Sequence, residues 1–138
     1  MKMKPTLTLD DAKQIVAAAE AEALRQGWNV VIAIHDDGGN LLLLQRMDGT
    51  QIGSVHVAQE KARTALLFKR PSKALEDAVQ GGRTVMITLP GATPIEGGLP
   101  LVYQGVVVGS IGVSGVQSNQ DGIVAAAGVA EFEKAELR

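Results

Sequence analysis

His35 and His56 are the only histidines in the chain, and cysteine is absent. Either imidazole could ligate haem iron or a divalent metal. His56, Glu60 and Arg63 fall at four- and three-residue steps, which places them on one face of a predicted helix. In the first turn of that helix the dipole disfavours an imidazolium, and a neutral ring is what a metal needs. That spacing allows a two-ligand His56/Glu60 site; a solvated surface face is the commoner explanation. His35 ends a predicted strand and has no neighbour at metal-ligand spacing. It reads as a partly buried strand-end histidine hydrogen-bonded to backbone, and only weakly as a haem or metal ligand.

A second set of residues suits anions and carbonyls. Arg46, Asp48 and Gly49 lie in "RMDG", where Arg46 could grip a carboxylate or a haem propionate through a bidentate contact. The alternative is an arginine at a hairpin end pairing with a turn aspartate. Lys61 follows Ser54 by seven residues and so shares its helical face. Facing a pocket, Lys61 would bind an anion or form an imine with a carbonyl substrate; on an ordinary amphipathic helix it would be solvated. Ser110 and Ser114 offer a polar wall, with Glu96, Gly97 and Gly98 as a rim above it. Met47, Met86 and Tyr103 read as core packing.

The elements that must hold these residues can be read in turn. Thr8 caps a first helix with Asp11 as its capping-box partner, and Gly27 ends it. "WNVVIAI" is a buried strand, "DDGGN" a turn and "LLLLQR" the returning strand. Ser54 caps a second helix, "VHVAQEKARTALLFK", which stops before Pro71 and carries the stripe Ala58, Ala62 and Ala65. Ser72 caps a short third helix, "KALEDAVQ", closed by Gly81 and Gly82. "TVMITL" is predicted as a strand, and "PGATPIEGG" as a loop. "LPLVYQGVVVGSIGVSG" forms a second hairpin turning at Gln104-Gly105, and Ser118 or Asn119 opens a final helix. The order αββα(α)βββα, with antiparallel hairpins, predicts an α+β fold in one domain over residues 1–138.

The strand "GVVVGSIGVSG" asks for a physical reason. Strict alternation puts Val107, Gly109, Ile111 and Val113 on one face and Val106, Val108, Ser110, Gly112 and Ser114 on the other. Its glycines match neither the dinucleotide fingerprint nor the phosphate loop, because no lysine follows and the helix begins too late. Two readings remain for the bare face: a seat for the alanine stripe, or the wall of a ligand site. Close packing accounts for most strand glycines and is preferred.

Composition excludes several functions. Without cysteine there are no disulfides, zinc-thiolate sites, thiol catalysis or cysteine-ligated haem. A formal charge of −2 and no basic cluster argue against nucleic acid as a partner. No apolar run reaches membrane-spanning length and no signal peptide is recognisable, so a cytoplasmic protein is expected. With only two Phe, one Tyr and one Trp, the core must be aliphatic and alanine-rich, which makes support from a partner subunit plausible.

"DDGGNLLLLQRMDG", Ser54, "AQEKARTA", "GGLP" and "GVVVGSIGVSG…QD" occur in an order that resembles the GlcG/HbpS family. This is the haem-degrading or DUF336 domain, also found as the C-terminal half of some propanediol-utilisation adenosyltransferases. The resemblance runs from Thr8 to about Ala130. It implies a profilin-like three-layer α/β/α arrangement on a five-stranded antiparallel sheet, and homo-oligomers from dimer to octamer. Arg46, Asp48 and Gly49 match the family motif, whereas the family usually has an aliphatic residue where this chain has His35. The implied function is haem or tetrapyrrole binding, as a carrier, sensor or accessory degradation factor, with a divalent metal as a further cofactor candidate. The alternative is a catabolic enzyme or accessory subunit acting on a small organic acid, carbonyl or imine.

Overall fold

The computed structural model describes residues 1–136. Helix α1 spans Leu9–Gln26 and β1 Val31–Asp36, followed by β2 at Leu41–Arg46. Helices α2 (Ser54–Phe68) and α3 (Ser72–Gln80) come next, then β3 (Gly98–Tyr103), β4 (Val106–Ser114) and α4 (Ser118–Glu136). The strands form one antiparallel sheet in the order β2-β1-β4-β3.

Helix α1 begins as its sequence dictates. The Thr8 side chain accepts from the Asp11 N–H at 3.1 Å, and the Asp11 carboxylate accepts from the Thr8 N–H at 2.8 Å. Gly27 closes the helix in the left-handed conformation. Thr8→Ala removes one half of this box and is expected to cost about 1 kcal/mol, read as a lower urea midpoint at unchanged slope.

The sheet separates two sets of side chains. Val30, Ile32 and Ile34 join the main core with Ile15, Val16 and Ala19 of α1 and Val124 and Ala125 of α4. Val31 and Ala33 alternate with them and pack against Ala58 of α2. Between β1 and β2, the Asp36 carboxylate accepts from the N–H groups of Gly38 and Asn40, each at 2.9 Å. These backbone bonds, Asn40's foremost, hold the Asp36 carboxyl below its ordinary range. The second hairpin turns at Gln104-Gly105, both with positive φ.

Four strands are found among the described residues where five are expected. "TVMITL" is the difference: Thr84–Thr88 forms a 3₁₀ helix with no buried residue, and Val85 and Ile87 are each 58% exposed. Strand preference expresses packing against cross-strand neighbours, and this segment has no ladder to join. A second departure concerns β4. Its register against β3 shifts between Leu101 and Val102, and Val108 joins Ile111 and Val113 in the main core rather than facing α2. The two serines expected as helix caps are also used differently. Gly53 and Pro71 occupy the cap positions, while Ser54 and Ser72 are fully buried first residues of α2 and α3.

Candidate functional site

The bare face of β4 is covered by the backbone of α2. Gly112 of β4 and Gly98 of β3 stand opposite each other in the ladder. A Cβ on Gly112 would collide with the Ala58 carbonyl and lie 2.5 Å from the Ala62 nitrogen; one on Gly98 would collide with the Lys61 carbonyl. Ser110 donates to the Ala62 carbonyl at 2.6 Å, and the Ser114 and Ser54 hydroxyls meet at 3.0 Å. Gln51 donates to the same Ser54 oxygen at 3.0 Å. Ser110 and Ser114 therefore fasten the strand to α2, as the close-packing reading of that face expects, and Ser54, expected as a cap, is the helix-side partner of Ser114. Ser72 ties the preceding loop to β3, donating to the Ile95 carbonyl at 2.6 Å and accepting from the Gly98 N–H at 2.9 Å.

This close seat turns Lys61 inward. Its side chain is 2% exposed, and Nζ donates to the Val113 carbonyl at 3.0 Å and to Asp121 Oδ2 at 2.9 Å. Asp121 is equally buried in the first turn of α4, and its other oxygen accepts from the Val116 N–H at 3.1 Å. Burial pushes the Asp121 carboxyl above its ordinary range, against the opposing pull of the Lys61 ammonium and its hydrogen bonds. The expectation of a solvated lysine is thus corrected: a helix lowered onto two glycines leaves this stem no route to water. An ammonium committed to a carboxylate is also poorly suited to imine chemistry, which needs a neutral amine. Asp121 was not among the sequence-derived candidates. Its signal lay in the "QD" that closes the family-like pattern, three residues after a helix-opening serine.

Glu96 does not form a rim over Ser110 and Ser114, which lie under α2. Its carboxylate instead approaches Gly122 at the start of α4, where an added Cβ would meet Oε2 at 2.6 Å.

His35 is 3% exposed, and neither ring nitrogen has a hydrogen-bond partner. The expected backbone hydrogen bond is absent. His35 stands opposite Ser110 in the β1–β4 ladder, and the Ser110 hydroxyl is already committed to Ala62. Burial, and secondarily the charge of Arg63, lower the His35 pKa; Asp36 and Glu60 oppose that shift. A histidine that titrates lower in the folded state takes up its proton first in the unfolded chain. Stability is therefore expected to be full above about pH 6.5 and to fall as pH drops below it, levelling off once the folded His35 is also protonated. Urea midpoints at pH 7.5 and 5.5 measure this, and His35→Leu should flatten the slope.

The remaining candidates lie apart. His56 is exposed in the first turn of α2, Glu60 is half-buried and Arg63 is exposed. No group of three metal-ligating side chains occurs among the described residues, so the divalent-metal reading gains no geometry. Arg46 and Asp48 are exposed and line a recess of about 380 Å³ that also contains Glu20 and Asn29. Met47 and Tyr103 pack against the main core. A cleft of about 550 Å³ opens where both hairpins meet the end of α2, between Leu66, Leu67, Val106 and Val107, with Lys4 and Lys69 beside it.

These features define an α+β protein in which helices pack on an antiparallel sheet through glycine contacts and one sealed ion pair. Residues 7–130 match the family described as haem-degrading protein HbpS-like, and the chain belongs to that family. It is 46% identical over 114 residues to Protein GlcG of Escherichia coli strain K12, covering 83% of this chain and 85% of that one. The crystal structure of Klebsiella pneumoniae ORFY superposes with a TM-score of 0.89 at 33% identity, covering 96% of this chain and 94% of the other. The crystal structure of a PduOC–haem complex superposes with a TM-score of 0.84 at 28% identity, covering 92% and 95%. No helix among the described residues is long and apolar enough to cross a membrane.

Proposed function

We propose that this protein binds haem or a related tetrapyrrole, serving as a carrier, sensor or accessory factor in haem degradation. The observation that carries this reading is the likeness, over nearly the whole of both chains, to PduOC in complex with haem. The chain offers such a group one buried imidazole, His35, which lines none of the described cavities. Two buried imidazole nitrogens without partners are rare in a folded interior, and a neutral imidazole is a common haem-iron ligand. When bound, haem would supply redox-active iron; the protein's part is to hold the macrocycle, ligate the metal and limit its contact with water.

Titration of the purified protein with haemin is the test. A saturable shift of the Soret band at micromolar haem is expected, together with a rise in melting temperature that grows with ligand concentration by mass action. A spectrum identical to that of free haemin would sink the reading. We also propose that the protein works as a homo-oligomer in the cytoplasm. The exposed side chains of Ile52, Val85 and Ile87 support a partner surface, and light scattering in solution measures the assembly.

A further inference from the structure

We propose that the cleft at the hairpin end binds a small monocarboxylate with an apolar body, its carboxylate on Lys69 and its chain along Leu66, Leu67, Val106 and Val107. Such a site calls for no metal and goes beyond the haem reading. It begins from an unfavourable stretch of backbone. Lys69 closes α2 at φ 54° and ψ 40°, the left-handed conformation that a helix end ordinarily gives to glycine. Gly27 fills the same place at the end of α1. A lysine there holds a strained conformation that glycine would relieve, which points to a use for its side chain. Gln104 is the one other non-glycine residue with positive φ among the described residues, and its neighbour Gly105 lines the same cleft.

Charge selects the ligand. Lys4 and Asp37 both line the cleft and neutralise each other in an ion pair of 2.5 Å. Lys69 has no ion-pair partner among the described residues, so the cleft carries one uncompensated positive charge. A second anionic group on the ligand would face Asp37, which limits the ligand to a single negative charge. Beside the free ammonium the wall is apolar and open to solvent: Leu67 is 47% exposed and Val106 40%. A hydrocarbon body would cover those side chains while its carboxylate meets the ammonium. At about 550 Å³ the cleft falls within the range of small-molecule sites. The recess beside Arg46 differs in charge, because Glu20 and Asp48 outnumber its one arginine.

Octanoate is the probe, with octylammonium as its cationic counterpart. In methyl NMR spectra of the purified protein, the signals of Leu66, Leu67, Val106 and Val107 should move saturably with octanoate, giving a Kd near or below about 1 mM. Octylammonium at the same concentrations should leave them in place. Lys69→Gly separates the backbone from the side chain. It should raise the melting temperature by about 3 °C, because glycine relieves the left-handed turn. The same variant should bind octanoate at least about fivefold more weakly. Arg70→Gln removes an adjacent exposed charge that lines none of the described cavities, and it should bind within about twofold of the wild type. The proposal is overturned by methyl shifts that do not saturate or that fall elsewhere. Octanoate affinity unchanged in Lys69→Gly, or equally reduced in Arg70→Gln, overturns it too. A lower melting temperature in Lys69→Gly would give the lysine a structural reason and has the same consequence. None of these outcomes alters the haemin titration, and a failed haemin titration leaves the cleft assignment standing.

Discussion

Replacing Lys61 with methionine is expected to destabilise the protein by about 3–5 kcal/mol, a large share of the stability of a chain this size. The cost is not simply the lost attraction. Lys61→Met leaves the Asp121 carboxylate buried with only the Val116 N–H to satisfy it, and Asp121→Asn leaves the ammonium without a counter-charge. Each single change should therefore be severe. The double variant Lys61→Met/Asp121→Leu should recover much of the loss, because two buried charges that vanish together take their desolvation costs with them. Urea denaturation of the wild type, both singles and the double closes the cycle. Strict additivity of the two singles would show that the pair acts as two independent groups, contrary to the geometry.

Gly112→Ala should be worse than its single methyl suggests, exceeding about 4 kcal/mol or preventing folding. The added carbon has no free volume: it meets the Ala58 carbonyl, the Ala62 nitrogen and the Ala62 methyl, the last at 2.9 Å. Helix α2 would have to rise from the sheet, stretching the Ser110–Ala62 hydrogen bond and withdrawing Lys61 from Asp121. Gly53→Ala is the control. Gly53 has φ −55° and no atom within contact of an added Cβ, so alanine there should be neutral or stabilising by up to about 1 kcal/mol. Similar losses in the two variants would show that α2 is not seated on its glycines.

Local chemistry was legible where it is self-contained. Thr8 and Asp11 cap each other within four residues, and each hairpin turn carries a glycine with positive φ, Gly39 in the first and Gly105 in the second. The alanine stripe and the Ser110–Gly112–Ser114 face pointed to each other because each is odd alone and sensible together. What escaped depends on residues distant in sequence. Lys61 looks like any helix lysine until its partner, sixty residues away, is brought beneath it. "TVMITL" has the composition of a strand, but composition does not say whether an edge is available. Val108 changes sides through a one-residue irregularity that alternation cannot foresee. His35 was read as satisfied by backbone, a sound default that fails here because its neighbours' hydrogen bonds go elsewhere.

The glycine seat beneath α2 also bears on which changes of chain length the protein can tolerate. A helix advances by about 100° per residue, so one inserted or deleted residue between Ala58 and Lys61 would turn the lysine away from Asp121 and bring a larger side chain onto Gly112. No rotamer adjustment absorbs that rotation, because the contact is backbone against backbone. The tips of both hairpins make no such backbone-on-backbone contact. Gains and losses of residues among descendants of this sequence should gather in those segments and spare the few turns of α2 that rest on the sheet.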